Sequence, residues 1–161
     1  LTGTIGGEDS REFLKETYGV TFSDIPSFRE RRYEEVEPIV CQNEEEWLEK
    51  IVSSTESVVN AERAVLIIAP FIASADKIRE RLDGKGIRSS MYTDSRTGSE
   101  ALQRELVPGD CVVATNIAGR GTDFHVGDEV ESKGGLHVIV AFLPENDRVE
   151  RQAVGRTART G

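Results

Sequence analysis

In the middle of the chain, apolar runs of strand length alternate with stretches whose apolar positions repeat every three or four residues. "AVLIIAP" is a continuous apolar run, "SADKIRERLDGKG" carries an amphipathic helix stopped by Gly84, and "IRSSMYT" is strand-like again. "GSEALQREL" predicts a further helix, "DCVVATN" a buried strand, "LHVIVAFL" another, and "ENDRVERQAVGRTAR" a last helix. Strands are therefore expected near residues 64 to 69, 87 to 92, 110 to 115 and 136 to 142. Strands separated by helices of about ten residues imply βαβ units with right-handed crossovers and a parallel sheet. Such a sheet is covered on both faces, so the expected class is α/β in three layers.

Before this alternation the pattern is different. "GGEDSREFLKETYG" predicts a short helix, with Asp9 or Ser10 as N-cap, Phe13 and Leu14 apolar, and Gly19 as its stop. From Val20 to about Cys41 the chain reads as an irregular connector, with Pro26, Pro38 and the charge run "RERRYEEVE". "NEEEWLEKIVSSTESVVN" then predicts a helix with Asn43 as N-cap and Glu in its first turn. Its apolar residues are Trp47, Leu48, Ile51, Val58 and Val59, with Trp47 assigned to the core.

Composition narrows the classes. The chain has 161 residues, 37% hydrophobic and 30% charged, which suits one ordinary α/β domain with room for a piece of a neighbour. No apolar run approaches the ~20 residues of a membrane span. The formal charge of −9 argues against non-specific binding to nucleic acid, which needs a surplus of Lys and Arg, although a local basic groove stays open. Cys41 and Cys111 lack metal-ligand spacing and read as reduced cysteines of a cytosolic protein. No signal-peptide pattern opens the chain, and both ends read as cuts within a longer polypeptide.

Parallel α/β sheets hold ligands at the carboxyl ends of their strands, which singles out two stretches. "ATNIAGRGTDF" follows the strand ending near Thr115; its glycines permit close backbone approach, Arg120 can contact a phosphate, and Asp123 can accept from ribose hydroxyls. The same run also reads as a tight turn with an Arg–Asp surface pair. At the end of the chain Gln152, Arg156 and Arg159 stand at i, i+4 and i+7, one polar stripe if helical. That stripe offers forked donors to a phosphate, or is simply a solvated face. His137 alternates with apolar neighbours and reads as structural, and His125 decides nothing.

Taken in order, "LTGT", "VLIIAPFIASADKI", "VVATNIAGRGTDF" and "QAVGRTARTG" resemble the later motifs of superfamily 2 helicase-type motors. Within these, "TGT", "ATNIAGRGTDF" and "KGGLHVIV" resemble the pattern of SecA, the ATP-driven protein translocase, over most of residues 1–161. "AFLPENDRVERQ" and the small positions of "GRTAR" depart from that pattern, which points to a divergent SecA-like ATPase. The resemblance implies a RecA-like fold akin to P-loop NTPases. It also implies a layout: residues 1–19 close a first motor domain, 20–42 link, and 43–161 form the second motor domain, ending after its last motif.

The resemblance further implies roles. Arg156 and Arg159 match arginines that neutralise charge on the γ-phosphate, with Gln152 on the same face and Gly155 leaving room for close packing. Asp123 would contact the nucleotide, Gly119, Arg120, Gly121 and Thr122 would form its loop and couple its state to domain closure, and Thr2, Gly3 and Thr4 would form the inter-domain motif. The implied cofactor is ATP with magnesium, and the implied partners are the N-terminal motor domain of the same chain, a preprotein and a membrane translocon. The implied location is the cytoplasm, peripheral to a membrane when engaged. The sequence carries no G-x-x-x-x-G-K-[ST] phosphate loop and no Walker B Asp–Glu pair, so residues 1–161 alone are expected to hold no cofactor and to be inactive. The alternatives are a nucleic-acid helicase or remodelling motor and a SecA-like scaffold without turnover.

Overall fold

A computed structural model describes residues 5, 7–23, 25, 32–93, 105–116 and 124–155. The chain divides into two compact units, Leu1–Glu35 with Pro144–Gly161, and Val36–Leu143.

In the first unit, helix α1 spans Glu8–Tyr18 and ends on Gly19, whose φ of 61° is left-handed and whose N–H donates to Lys15 O at 2.9 Å. The helix starts earlier than the expected Asp9 or Ser10 cap, because Gly7 takes the cap position. Glu8 and Asp9 lie in the first turn, where carboxylates suit the positive end of the helix dipole. Arg11 lies over the Phe22 ring, 5.4 Å from its centroid. The last helix of the chain also belongs here. It spans Asp147–Val154, and Asn146 caps it by accepting from the Val149 N–H at 3.1 Å.

The second unit holds the sheet. Helix α2 (Glu44–Asn60) leads into β1 (Ala64–Ala69), α3 (Ile72–Asp83) into β2 (Ser90–Tyr92), and β3 (Cys111–Thr115) is followed by α4 (Asp128–Ser132) and β4 (Leu136–Val140). The helix Asp147–Val154 is then α5. All strands are parallel in the order β2-β3-β1-β4, with Ile67 opposite both Val113 and Ile139. The fold is the expected three-layer α/β class of RecA-like domains. Strand β1 lies between β3 and β4, and each of its side chains is 0% exposed, which is why its sequence shows no alternation.

One face of the sheet, with Val65, Ile67, Ala69, Cys111 and Val113, packs against Leu48, Ile51 and Val52 of α2 and Ala75, Ile78 and Leu82 of α3. Each fully buried Val, Leu or Ile contributes roughly 1.5–3 kcal/mol of transfer free energy. The opposite face, with Leu66, Ile68, Val112 and Ala114, is also buried. Val130 of α4 is fully buried.

Several expected boundaries move for local reasons. Strand β2 begins at Ser90 rather than near residue 87, because Ile87 N–H still satisfies the Leu82 carbonyl at the end of α3, at 3.0 Å. The helix expected in "GSEALQREL" lies mostly outside the described residues, but its end does not form: Leu106 makes a parallel bridge to Val126. Helix α4 was not expected, since one buried residue in five leaves no readable periodicity.

Candidate functional site

The carboxyl edge of the sheet is where a parallel α/β fold presents ligand-binding loops, and in the second unit every strand exit there is fastened. Asn116 N–H, just past β3, donates to Ala69 O of β1 at 3.1 Å. Ala141 N–H, just past β4, donates to Ile68 O at 2.9 Å. The Ala141 carbonyl in turn accepts from the indole Nε1–H of Trp47 at 3.1 Å, so α2 is tied to the end of β4. Trp47 thus packs against the core as expected while its polar handle anchors the edge. At the end of β2, Thr93 O accepts from Thr115 Oγ1 at 3.3 Å.

This edge also leaves apolar side chains in the open. Phe71 and Ile72 begin α3 directly after β1 and are 72% and 56% exposed, and Leu143 after β4 is 93% exposed. Phe71 occupies the N-cap of α3 without a side-chain cap bond, a position that ordinarily selects Ser, Thr, Asp or Asn.

The amino edge is built differently. Gly134 and Gly135 have φ of 106° and 74°, so two successive residues adopt backbone that side chains resist. Their carbonyls face the Arg63 guanidinium, which donates from Nη2 to Gly134 O at 2.8 Å and from Nε to Gly135 O at 3.2 Å. An ion pair between Lys133 and Glu62 sits alongside. The "KGGLH" stretch therefore joins the starts of β1 and β4, and its glycines serve the fold. His137 of β4 has Nε2 3.5 Å from Ser54 Oγ, and its pKa is lowered by burial and by the Arg63 charge, which fits the structural reading. Burial also pushes the Cys111 thiol up to about 12, with Asp110 adding to the shift, so the thiol stays protonated. A concavity of about 370 Å³ beside Asn60, Lys85, Arg88 and Gly109 also lies toward this edge, the wrong end of a parallel sheet for a nucleotide.

Of the residues expected to form the site, Thr2, Gly3, Thr4, Gly119, Arg120, Gly121, Thr122, Asp123, Arg156 and Arg159 lie outside the described residues. Gln152, in α5, and Gly155, just after it, are described, half-buried, and belong to the first unit. Sequence reasoning passed over Arg63, Thr93 and Asn116 and treated Thr115 only as a strand end. A polar residue closing the apolar run "VVAT" was the one available signal. Among the described residues no group of three His, Cys, Asp or Glu side chains could hold a metal ion, so no magnesium ligand is assigned to them.

Comparison with known proteins agrees with this architecture. Residues 30–133 match the family model of the SecA P-loop domain. The chain belongs to the SecA P-loop family. It is 29% identical over 163 residues to a protein translocase subunit SecA of Halothermothrix orenii, covering 100% of this chain and 19% of that protein. It is 32% identical over 164 residues to a protein translocase subunit SecA 2 of Magnetococcus marinus, covering 99% of this chain and 25% of that protein. A SecA 2 of Nitrosospira multiformis is 35% identical over 113 residues, covering 69% of this chain and 17% of that protein. The chain thus spans between 17% and 25% of the length of these SecA relatives. Among the described residues no helix is long and apolar enough to cross a membrane.

Proposed function

We propose that the chain is the second motor domain of a SecA-like ATP-driven preprotein translocase, with residues 1–19 closing the first motor domain and 20–42 linking the two. The observation that carries this reading is the parallel sheet whose β3 ends on Thr115, so that the sequence "NIAGRGTDF" follows a strand's carboxyl end. Exposed Phe71, Ile72 and Leu143 on that edge support a covered surface there, of the kind the N-terminal motor domain closing over nucleotide would provide. Whole-protein activity, preprotein, translocon and a cytoplasmic position peripheral to a membrane belong to this proposal.

In this reading Asp123 accepts hydrogen bonds from the ribose, and Gly119, Arg120, Gly121 and Thr122 carry its state to domain closure. Arg156 and Arg159 supply forked donors to charge that develops on the transferring phosphoryl group, with Gln152 beside them and Gly155 giving room. ATP with magnesium supplies the phosphoryl group and its counter-charge when bound. Thr2, Gly3 and Thr4 pass between the domains.

The test is ATPase activity of the full-length protein with translocon and preprotein, against RNA and DNA as stimulators. Replacing Arg156 or Arg159 by Ala is expected to lower stimulated kcat about a hundredfold or more while changing ATP binding much less. Arg→Lys is not expected to rescue, because an ammonium lacks the planar fork. Stimulation by nucleic acid alone would overturn the translocase reading. Full turnover in an Arg159→Ala protein that melts normally would reduce the stripe to a solvated face.

A further inference from the structure

We infer that residues 36–41 add to the open edge of β4 as a fifth, parallel strand in the full-length protein. Strand β4 reads Leu, His, Val, Ile, Val, close to the apolar run of an interior strand, yet its residues are only half-buried, whereas β1 and β3 are buried throughout. The reason is its place at the end of the sheet order. Ala141 N–H donates to Ile68 O, and by the period of two the backbone of residues 137 and 139 also turns toward β1. The N–H and C=O groups of Leu136, Val138 and Val140 therefore point away from the sheet, and among the described residues no strand pairs with them. Outermost strands are ordinarily short or guarded by charge or proline. The other edge strand, β2, is three residues long; β4 is longer and carries no Pro, Lys, Arg, Asp or Glu.

A partner for this edge lies in the same unit. Residues 36–41 form no helix, turn or hydrogen bond among the described residues, and Val36, Ile39 and Val40 are 71%, 64% and 90% exposed. They lead into α2, whose first turn is tied beside the end of β4 by the Trp47 bond to Ala141 O. Residue 41 thus arrives at the carboxyl end of β4, and a strand laid along that edge runs in the same direction as β4, with α2 as its crossover to β1. Six residues rise about 20 Å and the five of β4 about 17 Å, so the lengths match. Pro38 sets the phase, because it has no N–H to offer and its backbone must face solvent. Glu37, Ile39 and Cys41 then present their N–H and C=O groups to those of Leu136, Val138 and Val140. The segment also brings the guard that β4 lacks, Pro38 flanked by Glu35 and Glu37. Where residues 20–42 link two motor domains, only residues 20–35 then stay free to span them; the strand itself does not depend on that reading.

Hydrogen exchange of the full-length protein, read by mass spectrometry on peptides covering 36–41 and 136–140, tests the inference. In the parent the amides of Glu37, Ile39 and Cys41, and those of Leu136, Val138 and Val140, are expected to exchange at least about tenfold more slowly than unpaired chain. Ile39→Pro removes a donor aimed at β4 and is expected to return these amides to fast exchange. Val40→Pro, one residue along, removes an N–H that faces solvent and is expected to leave the protection of 136–140 as in the parent. Thermal melting checks that each variant is folded; should Ile39→Pro melt far below the parent, Glu37→Pro takes its place with the same expectation. Fast exchange of 36–41 in the parent, or equal effects of the two prolines on 136–140, overturns the inference. Slow exchange of the three outward amides of β4 with fast exchange of 36–41 also overturns it, since another strand, from a second copy or from elsewhere in the longer protein, then covers the edge.

Discussion

His137 and Arg63 show how much one residue can owe to a distant neighbour. Burial first and the Arg63 charge second hold the His137 pKa below its ordinary 6.5, so the imidazole is neutral in the folded protein. The unfolded chain then takes up a proton more readily than the folded one. Stability is fully present above about pH 6.5 and declines as pH falls from there toward the folded value. Replacing His137 by Gln should therefore reduce the loss of stability between about pH 7 and pH 5.5, read as the shift in urea midpoint against the parent. Equal losses in the two proteins would mean that the environment of β4 does not perturb this histidine.

At the scale of elements, the starts of α2 and α3 make a matched pair. Asn43 caps α2, with its Oδ1 accepting from the Glu46 N–H at 2.9 Å, while Glu46 returns a bond to the Gln42 N–H at 2.8 Å. Helix α3 begins on Phe71 with no such bond. Asn43→Ala is expected to cost about 1 kcal/mol in chemical denaturation, and Phe71→Asp to stabilise α3 by about the same amount, since a cap is lost in one case and gained in the other. No gain from Phe71→Asp would indicate that the exposed ring already stabilises the fold by packing. The two helices are also joined across their surfaces by Lys77 to Glu44 at 2.5 Å and by paired contacts from Arg81 to Glu45 at 2.6 and 2.8 Å. The Arg81 bonds lower the Glu45 pKa, but exposed pairs of this kind contribute little to stability.

For the molecule as a whole, the missing phosphate-loop sequence bears on what residues 1–161 can do alone. An ATP site shared between two domains has most of its phosphate contacts on the domain that carries that loop. Titration calorimetry of the isolated 161-residue chain is accordingly expected to show little ATP binding. Low-micromolar affinity would relocate the site to groups within this chain. The relatives, of which this chain covers no more than 25%, supply the natural comparison: the same titration in a full-length protein.

The sheet, its parallel sense and its two-sided burial were legible because apolar run length and helical periodicity are local properties of the chain. Burying all of "AVLIIA" requires neighbours on both faces wherever they come from, so β1 announced itself as an interior strand. The exits of β1 and β3 were legible for the same reason, as were Trp47 and the structural role of His137. Strand order, the Arg63 bracket and the fastening of the carboxyl edge had no such signature. The Trp47 indole meets Ala141 across 94 positions, and Arg63 meets Gly134 across 71. Such bonds depend on which elements the crossovers bring side by side, and a lone Arg, Thr or Trp looks the same in the sequence whether or not that happens. The double glycine at 134 and 135 was visible from the start, but its reason was a guanidinium waiting at the head of another strand.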